Sequence, residues 1–206
     1  MLLCRERCAL LLIDLQHAFC APDGDLARRG RDVGAMQDAA RCCARLAVVA
    51  RAAQVPVFWT RMMLRPDYAD GGRMISDLLP HLKAAGALRR GSADVALVAG
   101  LGVEAGDEII DKPRNSALLG TALDLQLRSR GIERVVVGGV TTSMCVDTTV
   151  RDLGQRDYAT FVVREAVGDY DPQRHAAALA VMAFGFARVI GESDCVAALQ
   201  GAGRDF

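Results

Sequence analysis

Three side chains that can do chemistry together, Asp14, Lys112 and Cys145, each follow a run of apolar residues. A cysteine nucleophile needs a base that takes its proton and a cation that stabilises the thiolate. Asp14 can act as the base, and Lys112 can stabilise both anions and polarise a substrate carbonyl. These residue types predict covalent catalysis by Cys145. A histidine-based arrangement fits less well, because none of the three histidines has a comparable position.

Two simpler interpretations of these residues remain open. Most free cysteines are small buried apolar residues, and Cys145 can be another of them. An aspartate at the end of a strand, such as Asp14, can serve only as a helix cap or can solvate a loop. The elements around these residues bear on the choice.

Short apolar runs predict six strands, at 9–14, 55–60, 106–112, 132–137, 158–163 and 187–190. Apolar residues at helical spacing separate them, as over 33–53 and from Leu119 to Leu127. This alternation predicts an α/β fold with an open, mostly parallel six-stranded sheet and helices on both faces. The carboxyl ends of parallel strands share one edge of a sheet, so the three candidate residues can converge there.

The stretch around Cys145 predicts a strand, a turn and a helix. Three valines and two glycines precede Thr141, Thr142 and Ser143, which are residue types that cap helices. Cys145 is therefore expected in the first turn of a helix. The partial positive charge of a helix N-terminus favours the thiolate over the thiol.

An irregular segment at about 61–106 interrupts the alternation of strands and helices. Long connections of this kind are often lids or binding loops, so we expect this one to cover the site. It carries Arg61, Arg65, Tyr68 and Arg73, and Arg114 follows Lys112 closely. Guanidinium groups bind carboxylates through forked hydrogen bonds, which predicts an anionic substrate. The alternative is that these arginines only solvate a mobile loop.

Length and composition exclude several classes of protein. A chain of 206 residues is suited to one domain over 1–206, and its 25 basic and 25 acidic side chains form no long block of one sign. Nucleic acid and membrane partners are therefore not expected. The charged residues near the N-terminus do not fit a signal peptide, and the seven cysteines show no C-x-x-C spacing. Reduced thiols and a cytoplasmic location are expected.

Four motifs in order resemble the isochorismatase-like cysteine hydrolases, which include nicotinamidases, N-carbamoylsarcosine amidohydrolases, biuret hydrolases and ureidoacrylate amidohydrolases. The resemblance covers nearly the whole chain. Its motifs are Leu11-Leu12-Ile13-Asp14-Leu15-Gln16, Asp111-Lys112-Pro113-Arg114-Asn115-Ser116 with Gly120-Thr121, Leu127-Arg128-Ser129-Arg130-Gly131-Ile132, and Gly139-Val140-Thr141-Thr142-Ser143-Met144-Cys145-Val146.

The resemblance implies a catalytic triad of Asp14, Lys112 and Cys145. It also implies a cis peptide bond joining Val140 to Thr141 and an oxyanion hole formed by the amides of Thr141 and Cys145. A homo-oligomer, either a dimer or a tetramer, is expected on the same ground. The side chains expected to contact a small-molecule substrate are Gln16, Phe19, Arg65, Tyr68, Arg114 and Thr142.

Departures from the family pattern narrow the expected function. Nicotinamidases carry an Asp-x-His metal site after the second strand, whereas residues 60–66 contain no such ligand set. Isochorismatases proper lack the nucleophilic cysteine. We therefore expect a hydrolase of a linear amide or ureide that works through a thioester, without metal or other cofactor. An isochorismatase-like or nicotinamidase-like hydrolase of another substrate, and a non-catalytic protein with a reactive thiol, remain as alternatives.

Overall fold

A computed structural model of the chain, which describes residues 2–206, contains a six-stranded sheet in the order β4-β3-β2-β5-β6-β7. All neighbouring strands in this sheet are parallel. The strands are β2 (Cys8–Ile13), β3 (Val57–Met62), β4 (Glu108–Lys112), β5 (Arg134–Val140), β6 (Ala159–Gly168) and β7 (Arg188–Ile190). A separate antiparallel pair joins β1 (Leu2–Leu3) to β8 (Arg204–Asp205). The predicted α/β architecture is confirmed.

Eight helices surround the sheet. They are α1 (His17–Cys20), α2 (Asp25–Arg28), α3 (Gly34–Ala52), α4 (Pro80–Ala84), α5 (Leu123–Ser129), α6 (Asp147–Gly154), α7 (Pro172–Gly185) and α8 (Glu192–Leu199). Helices α3 and α8 pack with one apolar cluster of the sheet, and α5, α6 and α7 pack with the other. Because both faces are covered, the central strands are almost continuously apolar, and every residue of β2 is buried.

Strand β6 is longer than the sequence predicted, since it continues from residue 163 to Gly168. The exposed pair Arg164 and Glu165 ends the apolar run, but pairing with β5 resumes beyond it after a register shift. Gly139 lies at this shift with φ 121°, and a Cβ there would stand 2.1 Å from the carbonyl oxygen of Ile13. The continuation carries Asp169 and Tyr170 to the carboxyl edge of the sheet.

Helix α5 begins at Leu123, later than the predicted helix, whose apolar face included Leu119. The hydroxyl of Thr121 donates to Ala117 O at 2.6 Å and accepts from the amide of Leu123 at 3.2 Å. A threonine that bonds to the backbone in this way competes with the helix, so a turn replaces the first helical turn. Leu119 is exposed as a result.

The segment at 61–106 is more regular than expected. It contains a π-helical turn (Met74–Leu78), α4 and a 3₁₀ turn (Ala93–Val95). The hydroxyl of Tyr68 donates to Ala87 O at 2.8 Å, within a third apolar cluster. This cluster comprises Ala18, Met62, Leu64, Tyr68, Ile75, Leu82, Ala87 and Leu88. The segment therefore shares a small apolar core with α1 beside the end of β3.

All seven cysteines are free thiols, and all except Cys4 are buried. Burial raises the pKa of Cys8, Cys20, Cys145 and Cys195 from 9.0 to about 12. The folded protein therefore retains these protons at a pH at which an unfolded chain loses them.

We expect the free energy of unfolding to fall as the pH rises from 9 towards 12. A thiol whose pKa is raised by folding stabilises the fold fully below its unfolded pKa, and that contribution is lost above it, by about 1 kcal/mol per thiol for each pH unit. Urea unfolding under reducing conditions at pH 7, 8.5 and 10 measures the loss. Cys195→Ala should weaken this pH dependence more than Cys4→Ala, because Cys195 is fully buried and Cys4 is not. Equal stability at pH 7 and pH 10 would contradict the prediction.

Candidate active site

Asp14 stands just beyond β2 in the left-handed backbone region, with φ 53°. Aspartate tolerates this conformation better than most residues. Its amide faces Thr60 of the neighbouring strand β3, with the carbonyl oxygen and Oγ1 of Thr60 each 3.2 Å away. The Thr60 hydroxyl in turn donates to Asp14 Oδ1 at 2.6 Å. One threonine therefore fixes both the backbone and the carboxylate of Asp14.

Lys112, the last residue of β4, completes a fully buried ion pair with Asp14. Its Nζ lies 2.7 Å from Asp14 Oδ2, and both side chains are 0% exposed. The same ammonium group donates to the carbonyl oxygens of Arg114 and Asn115 at 3.0 and 3.1 Å. Burial alone would lower the pKa of Lys112, but the charge of Asp14 and the nearby Cys145 raise it overall. Lys112 therefore remains a fixed cation.

Cys145 lies in a π-helical turn, Thr142–Val146, which joins β5 to α6. Its Sγ is 3.9 Å from Asn115 Oδ1. Burial raises the pKa of the Cys145 thiol to about 12, with Asp14 acting in the same direction and Lys112 against it. Burial thus acts against the thiolate that the sequence analysis expected at the start of a helix. Removal of water from Sγ outweighs the positive charges around it.

The turn that carries Cys145 is held at several points. The peptide bond joining Val140 to Thr141 is cis. Asp169 Oδ2 accepts from both the amide and the hydroxyl of Ser143, at 3.0 and 2.7 Å. The amides of Met144 and Val146 both donate to Thr141 O. The amides of Thr141 and Cys145, which the family resemblance implies as the oxyanion hole, remain our candidates for it.

A cavity of about 330 Å³ opens above Cys145, Asn115 and Thr141. Side chains of the 61–106 segment supply apolar walls, namely Met62, Met74, Leu79, Leu82 and Leu88. Its charged lining comes from outside that segment and consists of Asp25, Arg29, Arg31 and Arg174. Such a volume holds a small organic molecule.

Phe19, a predicted substrate contact, lines this cavity, whereas three others are held elsewhere. The side-chain amide of Gln16 bonds to the backbone of Met62 and Val95 and is fully buried. The buried hydroxyl of Tyr68 bonds to Ala87, as described above. The hydroxyl of Thr142 is 2.9 Å from Nδ1 of His175.

The two arginines predicted to contact the substrate also lie outside the lining of the cavity. Arg65 is exposed and forms a two-point ion pair with Asp67, at 3.0 Å for each contact. Arg114 Nη1 donates to the carbonyl oxygens of Asp70 and Pro113. Arg65 is thus engaged within its own loop, whereas Arg114 connects the loop after β4 to the 61–106 segment.

Several residues at the site had not been singled out from the sequence. Asn115 belongs to the motif that follows Lys112, and Asp169 and Tyr170 follow the unpredicted continuation of β6. Arg31 precedes α3, and Arg174 lies in the first turn of α7. The sequence predicted that this strand ends at residue 163. If the predicted end had been residue 168, Asp169 would have been expected at the same edge of the sheet as Asp14 and Cys145.

Within residues 2–206, no group of three or more His, Cys, Asp or Glu side chains is arranged to hold a metal ion. The same residues include no helix that is both long and apolar enough to cross a membrane.

The model of the Isochorismatase domain family matches residues 8–200. The chain belongs to the isochorismatase family. It is 36% identical to ureidoacrylate amidohydrolase RutB of Methylobacterium radiotolerans over 183 residues, which cover 83% of this chain and 71% of that protein. Ureidoacrylate amidohydrolase RutB of Azorhizobium caulinodans is 30% identical over 82% of this chain and 79% of that protein.

Solved structures of the isochorismatase family share the fold. A cysteine hydrolase from Pseudomonas syringae pv. phaseolicola superposes with a TM-score of 0.88 at 30% identity, covering 96% of this chain and 94% of that one. A pyrazinamidase/nicotinamidase from Streptococcus mutans gives a TM-score of 0.67 at 26% identity, covering 86% and 96%. The resemblance inferred from four sequence motifs is therefore confirmed.

Proposed function

We propose that this protein is an amidohydrolase that cleaves a C–N bond of a small linear amide or ureide through a thioester on Cys145. The observation that carries the proposal is the buried pair of Asp14 and Lys112 next to a thiol at the floor of a cavity. The amidohydrolases among its relatives support the class of reaction.

The first half of the proposed reaction forms the thioester. Because the Cys145 thiol is protonated at rest, Asp14 takes its proton as Sγ attacks the substrate carbonyl. The carbonyl oxygen becomes an oxyanion that accepts from the amides of Thr141 and Cys145. As the tetrahedral intermediate collapses, the C–N bond breaks and Asp14 returns the proton to the leaving nitrogen. Ammonia or an amine departs.

The second half releases the acyl group. Asp14, again a carboxylate, takes a proton from water as the water oxygen attacks the thioester carbonyl. The C–S bond breaks, the acid leaves, and the proton held by Asp14 returns to Sγ. Lys112 keeps its proton throughout, because the carboxylate of Asp14 lies 2.7 Å from Nζ and the carbonyl oxygens of Arg114 and Asn115 accept from the ammonium group. It therefore acts through its charge.

We also propose that the 61–106 segment serves as a lid, because its apolar side chains form walls of the cavity. Its apolar cluster gives the segment a defined shape and joins it to α1 and to the end of β3. Closure would remove water from the reacting groups, which strengthens each charge interaction inside.

The proposal is tested by measuring ammonia release from neutral and carboxylate-bearing ureides, with nicotinamide as the comparison. We expect turnover of at least one ureide, an acyl adduct on Cys145 detectable by mass spectrometry after rapid acid quench, and no loss of rate after exhaustive chelation. Hydrolysis of nicotinamide alone, lost on chelation and restored by a divalent metal, would instead support the nicotinamidase-like alternative, for which the Streptococcus mutans structure is the precedent.

A further inference from the structure

The residues that line the cavity include more arginines than acidic residues. Three arginines, Arg29, Arg31 and Arg174, line it together with one aspartate, Asp25. Asp25 is buried and already paired with Arg29 at 3.2 Å. Burial and the nearby Arg29 lower the pKa of His81, which also lines the cavity, so this histidine adds no positive charge near neutral pH. Arg31 and Arg174 therefore supply positive charge beyond that pair.

Both of these arginines stack on one aromatic ring. The guanidinium carbons of Arg31 and Arg174 lie 5.3 and 4.6 Å from the centroid of the Tyr170 ring. Stacking occupies the face of a guanidinium group and leaves the N–H donors in its plane free for another partner. Tyr170, which also lines the cavity, thus holds the guanidinium groups of Arg31 and Arg174 close together.

The existing partners of the two arginines are incomplete. Among residues 2–206, no carboxylate oxygen lies within 4.0 Å of the Arg31 guanidinium. Arg174 has Asp169 and Asp171 at 3.7 and 3.6 Å, beyond hydrogen-bonding distance. Asp169 is committed to the turn of Cys145 through Ser143, as described above. An added anion would therefore find donors at this wall.

We propose that Arg31 and Arg174, stacked on Tyr170, bind a carboxylate of the substrate and so select amides that carry an anionic group away from the scissile bond. This inference rests on the proposed function and names its substrate class. Bidentate contacts between guanidinium and carboxylate are charge-assisted and geometrically specific. An anionic substrate was also expected from the sequence. That expectation assigned its carboxylate to Arg65 and Arg114, whereas this proposal assigns it to Arg31 and Arg174, which line the cavity.

Alkylation of Cys145 tests whether Arg31 and Arg174 attract a carboxylate, and it does not require hydrolysis. Iodoacetate and iodoacetamide react with a thiol in the same way, with loss of iodide, and differ mainly in that the first is an anion. The ratio of their rates at Cys145, measured by peptide mass spectrometry at pH 8.5 and low salt, reports the attraction for a carboxylate. We expect the double variant Arg31→Gln/Arg174→Gln to lower this ratio about tenfold, with a smaller fall for Arg31→Gln alone.

Arg128→Gln is the matched control. Arg128 also stacks on a tyrosine, Tyr158, at 5.5 Å and pairs with Asp124, but it does not line the cavity. Its ratio should equal that of the unsubstituted protein. An unchanged ratio in the double variant, or an equal fall in the control, would overturn the proposal.

Steady-state kinetics separate this inference from the proposed function. The double variant should raise KM for a carboxylate-bearing ureide while sparing a neutral one such as biuret. Equal effects on both substrates would reject carboxylate binding by Arg31 and Arg174 and leave the proposed hydrolase activity in place. Absence of any amide hydrolysis by the unsubstituted protein would reject the proposed function, whereas the alkylation ratio would still report on the wall.

Discussion

Cys145→Ala should lose at least about 10⁴-fold in turnover, because the proposed thioester cannot form without Sγ. The fold should survive, because the substitution removes one sulfur atom and leaves the ion pair of Asp14 and Lys112 in place. Rates of ammonia release and urea unfolding curves measure the two effects separately. Mass spectrometry should also show that the acyl adduct is absent.

Cys195→Ala provides the control for removing a buried thiol. Cys195 is fully buried in α8, outside the lining of the cavity. This variant should keep its activity. If Cys145→Ala retained substantial hydrolysis, or if Cys195→Ala lost as much, covalent catalysis by Cys145 would be rejected.

Lys112→Met should destabilise the protein by about 3–5 kcal/mol, because it leaves the carboxylate of Asp14 buried without its partner. Asp14→Asn should lower turnover on the order of 10² to 10⁴-fold, since it removes the general base. The double variant Asp14→Asn/Lys112→Met should be more stable than Lys112→Met, as no unpaired charge remains. Urea unfolding and single-turnover rates measure these changes.

An exposed ion pair on the same strands supplies the comparison. Arg61 of β3 lies 2.7 Å from Asp111 of β4, and both side chains are partly exposed. Asp111→Asn should cost no more than about 1 kcal/mol, because water screens the pair. A double variant no more stable than Lys112→Met would show that the loss comes from packing around residue 112 rather than from an unpaired carboxylate.

The order of strands and helices could be predicted, because a parallel strand that is buried on both faces consists of a continuous run of apolar residues. The same logic placed Asp14 and Lys112 at one edge of the sheet, where the structure brings them within 2.7 Å. Strand ends marked by charge were harder to predict. Arg164 and Glu165 resemble a turn, although backbone pairing with β5 carries β6 onward to Gly168.

The arginines that line the cavity could not be predicted, because their positions depend on contacts between distant segments. Arg65 and Arg31 are both arginines near an apolar element, and nothing local distinguishes them. Arg65 forms an ion pair with Asp67, which is two residues away, whereas Arg31 stacks on Tyr170, which is distant in the sequence. The charge state of Cys145 was missed for a related reason. Local capping residues indicate a helix terminus, but the amount of water around a sulfur atom is set by the whole fold.

The protonated resting state of Cys145 has a consequence for its survival in an oxidising environment. Peroxides oxidise thiolates, and the first product of this oxidation is a sulfenic acid. A buried thiol with a raised pKa offers almost no thiolate at neutral pH, so the proposed nucleophile would be protected from peroxide between cycles. Sensors of peroxide need the opposite, an accessible cysteine with a depressed pKa. The raised pKa of Cys145 is therefore better suited to the proposed hydrolase than to a sensor of peroxide.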